Sequence, residues 1–327
     1  MNKQLFEYHP VIGYRFIPNI QARVQHEGGG YLVRANSLGF RSEMEFRTEK
    51  TENKKRILLF GDSYTAADGV SNKKRYSDVL MQMLPGVEIY NFGMPGTGTD
   101  QQYLIYKEYA KNIEHDLVMI VVLVENIRRV NAAYRYYTNE KNEIVLFQKP
   151  YFELNEEDLI LKNIPVNPHH LNAAEMALNG KIKIDKGGRF PALRSLINKT
   201  KYKETIQKLV KYQPLPEYKR NSRQWLLMKR IMLKWFSELK KPILLVPLPM
   251  HHYIEDQSDY REIEKRFAEF SNINNLTLFN PIDKMKSFSL AERRKFRFEH
   301  DEHPSPYGHE TYARIFKPRV EEVLQSI

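Results

Sequence analysis

The sequence predicts an α/β fold, a doubly wound parallel sheet of five strands. Three observations lead there. Apolar runs recur at 56–60, 87–91, 116–124, 242–246 and 276–279, too short for buried helices and too continuous for half-exposed strands. Segments with helical spacing or helix-stop signals separate them. The run at 116–124, DLVMIVVLV, is almost wholly β-branched or leucine, which suits the centre of a sheet.

In chain order, residues 1–55 form a preface rich in turn signals. Ile12-Gly13-Tyr14-Arg15-Phe16-Ile17-Pro18-Asn19 and Ala35-Asn36-Ser37-Leu38-Gly39-Phe40-Arg41 flank a triple glycine at 28–30, with a short strand expected at 31–34. This preface is expected to be an irregular or hairpin extension packed on the main domain. The sheet begins at Arg56, and its first strand ends on Gly61, where the backbone can turn without a side chain in the way. A helix at 76–84 stops at Pro85-Gly86, and a strand at 87–91 follows. Thr99 with Gln102 three places on reads as a capping box that opens a helix to about 112.

Between 131 and 216 the alternation breaks down. Tyrosines crowd 134–137, 144–147 and 159–161 look like short strands, and lysine-rich helical turns follow at 193–210. This stretch is expected to be an insertion acting as a lid or specificity element. Regularity returns at 224, where Trp225, Met228, Met232, Trp235 and Leu239 recur at helical spacing and form a core stripe. Helices at 260–270 and 307–324 complete the pattern. The expected organisation is therefore an extension at 1–55, an α/β domain from 56–130 and 217–327, and an insertion at 131–216.

With 327 residues and 42% hydrophobic content, the chain can fill one large domain with insertions or two smaller ones. The absence of cysteine excludes disulfides, thiolate catalysis and Cys-ligated zinc. Its net charge of +11 is scattered over clusters at 54–56, 73–75, 128–129 and 293–295. That scatter suits a solvated surface or the steering of an anionic substrate, and argues against a nucleic-acid stripe. The N-terminus has no signal-like apolar run, and nowhere are there the ~18 consecutive apolar residues of a membrane span. A cytoplasmic protein without stable membrane insertion is expected, and the sequence leaves its oligomeric state open.

Four stretches sit where chemistry would need them. Gly61-Asp62-Ser63 lies at the carboxyl end of the first sheet strand, the edge where open α/β sheets bind ligands. A serine there can be a nucleophile, although Gly-Asp-Ser alone more often means only that Asp62-Ser63 caps a helix. The loop Asn91-Phe92-Gly93-Met94-Pro95-Gly96-Thr97-Gly98-Thr99 presents backbone N–H groups toward an anion, or is simply a tight turn. Asn126, after the central strand, can donate an amide hydrogen bond to an oxyanion, or end a strand as turn residues do. His300-Asp301-Glu302-His303 precedes the last helix and can supply a base for Ser63 with a carboxylate to orient it. Three histidines and two acids within 300–309 also suit a metal, but their spacing is irregular and no HExxH occurs. His251 and His252 follow another strand and are either cleft-rimming or ordinary surface histidines.

In this order the four stretches resemble the SGNH (GDSL-type) hydrolase superfamily. Gly61-Asp62-Ser63 resembles its first block, Gly96 the glycine of its second, Asn126 the asparagine of its third, and His303-Pro304 its last. The preface, together with Lys149-Pro150-Tyr151-Phe152 and Pro165-Val166, is similar to bacterial members that act on carbohydrates. Two departures stand out. Val124 and Ile127 flank the third block where the family has Gly-x-Asn-Asp, and the family's aspartate position holds His300, with Asp301 one place later.

The resemblance implies a flavodoxin-like three-layer α/β/α fold and a serine esterase without metal or organic cofactor. It casts Ser63 as nucleophile, His303 as base and Asp301 as orienting acid, unless a backbone carbonyl replaces the acid. The oxyanion hole would be Ser63, Gly96 and Asn126. From their places at strand ends, Asp62, His251 and His252 are expected near the substrate. The expected substrate is an O-acetylated sugar or polysaccharide, or another small ester. The alternatives are an O-acetyltransferase using the same site and a non-catalytic carbohydrate-binding protein that keeps the fold.

Overall fold

A computed structural model describes residues 5–138, 144–156, 158–172 and 215–327. The helical turns expected at 193–210 lie outside the described residues.

Four short strands come first: β1 (Phe6–His9) pairs antiparallel with β2 (Gly13–Phe16), and β3 (Gln21–Val24) with β4 (Tyr31–Arg34). The second hairpin includes the strand expected at 31–34. The first was masked in the sequence by its turn residues. Buried and exposed positions alternate along β4, burying Tyr31 and Val33 while Leu32 and Arg34 face out.

The main sheet contains β5 (Lys55–Phe60), β6 (Val87–Asn91), β7 (Leu117–Leu123), β13 (Ile243–Leu248) and β14 (Leu276–Leu278), in the order β14-β13-β7-β5-β6. All neighbours pair in parallel, with Leu59 opposite Met119 and Ile243 opposite Val118. β7 is buried along its whole length and occupies the centre, as its composition predicts. The sheet order is flavodoxin-like: the chain runs outward one way from β5 to β6, then returns and runs out the other way through β7. The switch point falls between the carboxyl ends of β5 and β7. Gly61-Asp62-Ser63 and Val124-Glu125-Asn126 are the residues that emerge there.

Helices cover both faces. Helix Tyr76–Met83 packs with the closing helix Pro306–Gln325, where the Tyr76 and Phe316 rings meet edge-on at 5.4 Å. Helix Arg223–Glu238 packs with helix Thr99–Ile105, and Trp235 lies against Phe60 of the sheet at 5.2 Å. Its Trp225, Met228, Met232 and Trp235 are fully buried, so the helical stripe is core. Together the layers form a three-layer α/β/α sandwich.

The capping box expected at Thr99 does not form. Gly98 is the N-cap, and Thr99 lies inside the first turn with its hydroxyl buried and unpartnered. A Cβ on Gly98 would meet Asp100 Oδ1 at 2.6 Å and the Arg129 side chain and Val130 N at 3.2 Å, so this N-cap position has room only for glycine. The helix then loosens into a π-helical turn at Tyr106–Ala110 instead of running regularly to 112.

Within 131–172, β8 (Tyr134–Thr138), β9 (Ile144–Gln148) and β12 (Leu171–Asn172) form a small antiparallel sheet, and β10 (Tyr151–Asn155) pairs with β11 (Asp158–Lys162). The tyrosine cluster is thus a strand. Lys149 ties this region to the core through a buried ion pair with Asp100 at 2.5 Å. Among the described residues no helix is long and apolar enough to cross a membrane.

Candidate active site

Ser63 opens a one-turn helix, Ser63–Ala66, directly after the strand that ends at Phe60. Gly61 is required there, because a Cβ would meet the Thr65 hydroxyl at 2.0 Å. Asp62 caps the turn, its Oδ1 accepting from the Tyr64 N–H at 3.0 Å. Capping and presenting a hydroxyl are therefore both done by this tripeptide.

The loop before the closing helix returns to the same edge. His303 Nε2 lies 2.9 Å from Ser63 Oγ, and His303 Nδ1 lies 2.6 Å from Asp301 Oδ1. The separation of 240 positions between serine and histidine is bridged by the sheet's return path. The Tyr64 hydroxyl donates to the Glu302 carbonyl at 2.5 Å, and its ring lies 5.4 Å from the imidazole, fastening this loop to the serine turn. An ionised Asp301 can only accept, so Nδ1 carries the proton and Nε2 is left to accept from Ser63.

The electrostatics favour a charged His303. Burial opposes the imidazolium, but the Asp301 hydrogen bond and the carboxylates of Asp68, Asp301 and Asp62 outweigh it and raise the pKa above 6.5. Asp301 is held far below the usual carboxylate range, first by the His303 hydrogen bond and, despite partial burial, by the His303 N–H and by His26.

Asn126 is fully buried and donates from Nδ2 to Asp62 Oδ2 at 3.0 Å, while Arg129 reaches the same oxygen at 3.2 Å. The sequence reading placed Asp62 near the substrate. At 1% exposure, with both oxygens bonded within the protein, it instead braces the serine turn against Asn126. Gly96 has φ +73°, and the Arg135 guanidinium occupies the space a Cβ would need, at 2.0 Å. His251 and His252 are buried at 7% exposure each, so they are not surface histidines. His252 faces Glu125 at 3.1 Å, and burial raises the Glu125 pKa. Among the described residues no group of three or more His, Asp or Glu side chains is placed to hold a metal.

Three contributors were not read from the sequence. His26, in the turn between β3 and β4, contacts Asp301 Oδ2 at 3.0 Å. Arg41 is fully buried and donates to the carbonyls of Ala66, Ala67 and Val70 at 2.7–2.8 Å, tying down the chain just after the serine turn. Arg135 donates to the Pro95 carbonyl and lies over the Tyr14 ring at 4.7 Å. The preface glycines and the Asn-Ser-Leu-Gly-Phe-Arg piece were visible signals, but which partners they meet depends on tertiary packing. A mainly apolar cavity of about 600 Å³ lies beside the site, walled by Tyr8, Tyr14, Tyr31, Phe147, Asp68 and Arg135. It also touches Pro95, the sequence neighbour of Gly96, and Asp68, whose charge acts on His303.

No protein-family model and no curated protein matches this sequence. Among solved structures, the chain is similar to a lipolytic G-D-S-L family member from Veillonella parvula, at 10% identity and a TM-score of 0.44, covering 84% of this chain and 100% of that one. It is similar to the lipase/acylhydrolase from Enterococcus faecalis at 15% identity and a TM-score of 0.41, covering 82% and 96%. An acetyl xylan esterase is similar at 13% identity and a TM-score of 0.43, covering 81% and 99%. These likenesses concern the path of the chain. The chemistry rests on the geometry above.

Proposed function

We propose that the protein is an SGNH-type serine esterase. The observation that carries this is the continuous relay from Ser63 Oγ through His303 to Asp301, with contacts of 2.9 and 2.6 Å. Ser63 Oγ attacks the ester carbonyl while its proton passes to His303 Nε2. The imidazolium, stabilised by Asp301, then protonates the leaving alcohol, and an acyl-serine remains. Water, deprotonated by His303, releases the acid and restores the serine.

The oxyanion is assigned to the N–H groups of Ser63 and Gly96 and the Asn126 amide. That amide has two N–H bonds, one of which Asp62 takes. Removing one such donor typically costs about 3 kcal/mol of transition-state stabilisation.

The substrate is an O-acetylated sugar or polysaccharide. The adjoining cavity supports this reading: its tyrosine rings offer faces for a sugar ring, and Asp68 and Arg135 offer partners for hydroxyls. Purified protein should release acetate from acetylated glycans. Among p-nitrophenyl esters its kcat/KM should fall as the acyl chain lengthens. A preference for long-chain esters, or acetate release that persists in Ser63→Ala, would contradict the proposal.

A further inference from the structure

His26 belongs to a hairpin far from the site in sequence, 275 residues before Asp301. Its Nδ1 accepts the Gly28 N–H at 3.3 Å, so the ring proton sits on Nε2 and points at Asp301 Oδ2, 3.0 Å away. The ring is wedged edge-on against Phe298 at 4.3 Å, and its side chain is only 12% exposed. The next residue, Glu27, accepts the Asp301 N–H at 2.7 Å and the His300 N–H at 3.1 Å. This one turn therefore grips both the backbone and the side chain of the segment that carries Asp301.

A carboxylate rotates readily about its last torsion. The ring and backbone nitrogens of His303 both hold Oδ1, at 2.6 and 2.9 Å. His26 supplies the only other side-chain hydrogen bond to Asp301 among the described residues, and it falls on the other oxygen, Oδ2. We infer that His26 is a positioning residue of the reaction. By fixing Oδ2 it keeps Oδ1 in line with His303 Nδ1, so the N-terminal hairpin completes the active site. This inference rests on the serine-esterase reading for its kinetic consequence, but not for its geometric one.

Two variants of the full chain test it. His26→Phe keeps the packing against Phe298 and loses the N–H, whereas His26→Gln keeps an amide N–H. In His26→Phe, kcat on p-nitrophenyl acetate should fall about tenfold with KM unchanged, on the scale of losing an outer hydrogen-bond partner. The acid limb of the pH profile should move to lower pH, because His303 loses part of its support from Asp301. His26→Gln should recover most of both.

The low-field proton resonance of the His303 Nδ1–H, read by NMR, reports the same alignment without any turnover. It should weaken or vanish in His26→Phe and persist in His26→Gln. Wild-type kinetics and pH limb in His26→Phe, an unchanged resonance, or equal losses in both variants would overturn the inference. Failure of Ser63 to react with a fluorophosphonate would instead overturn the esterase reading. The NMR comparison would then still decide whether His26 positions Asp301.

Discussion

His303 is under opposing influences, with burial disfavouring its charge and three nearby carboxylates favouring it. The carboxylates win, so its pKa is raised. The base is active only when neutral, so kcat/KM should climb with pH through a midpoint above 6.5. Asp301→Asn removes both the charge and the correct acceptor. It should move that midpoint downward and cut kcat by roughly 10²–10⁴-fold, as measured by steady-state kinetics across pH. The Asp301-x-His303 spacing was legible because both residues lie in one loop and were read as acid and base together. His26 was not, because nothing local marks a histidine that meets its partner only after the hairpin docks.

At the scale of elements, the serine turn is short and depends on its neighbours. It is one turn long and ends with Ala67 in the left-handed region at φ +68°, a conformation a non-glycine residue holds only with outside support. Arg41 provides that support through the carbonyls that follow the turn. Burial and the charge of Arg75 lower its pKa to about 10, so it stays protonated at neutral pH. Arg41→Met should leave those carbonyls unpaired and cost roughly 3 kcal/mol or more in urea denaturation. It should also slow fluorophosphonate reaction at Ser63 more than general loosening of the fold would, a comparison that Trp225→Phe in the distant core can calibrate. The motif holding Arg41 stood out in the sequence as a piece of the preface, but its role did not. A buried guanidinium has no periodic signature, and its acceptors are backbone atoms. The misplaced capping box has a similar cause, since the close approach of Gly98 to Arg129 and Val130 overrides a local preference.

At the scale of the molecule, the sheet's switch point brings distant sequence stretches to one edge. That much could be read in advance, because apolar runs reveal strands and strand order limits where loops can meet. The hairpins and the region after β7 were harder to read, since short strands covered on one side carry weak patterns. Global stability should also show its own pH dependence. His309 is fully buried and its pKa is pushed down to about 3, chiefly by burial and then by Arg41 and Arg75. Burial also lowers His9 and His115. The unfolded chain binds these protons first as pH falls below 6.5, so their contribution is complete above 6.5 and declines below it, for His309 until about pH 3. For His309 the slope approaches about 1.4 kcal/mol per pH unit inside that window. Urea unfolding between pH 7 and 5 should show this decline, and His309→Gln should flatten it.

The central claim is that Ser63 is made nucleophilic by His303. Incubation with a fluorophosphonate, followed by peptide mass spectrometry, tests it most directly. Labelling should fall on Ser63 alone, with one equivalent per chain, and should drop by orders of magnitude in a folded His303→Ala variant. A folded wild-type protein left unlabelled at Ser63, or labelled equally fast without His303, would contradict it.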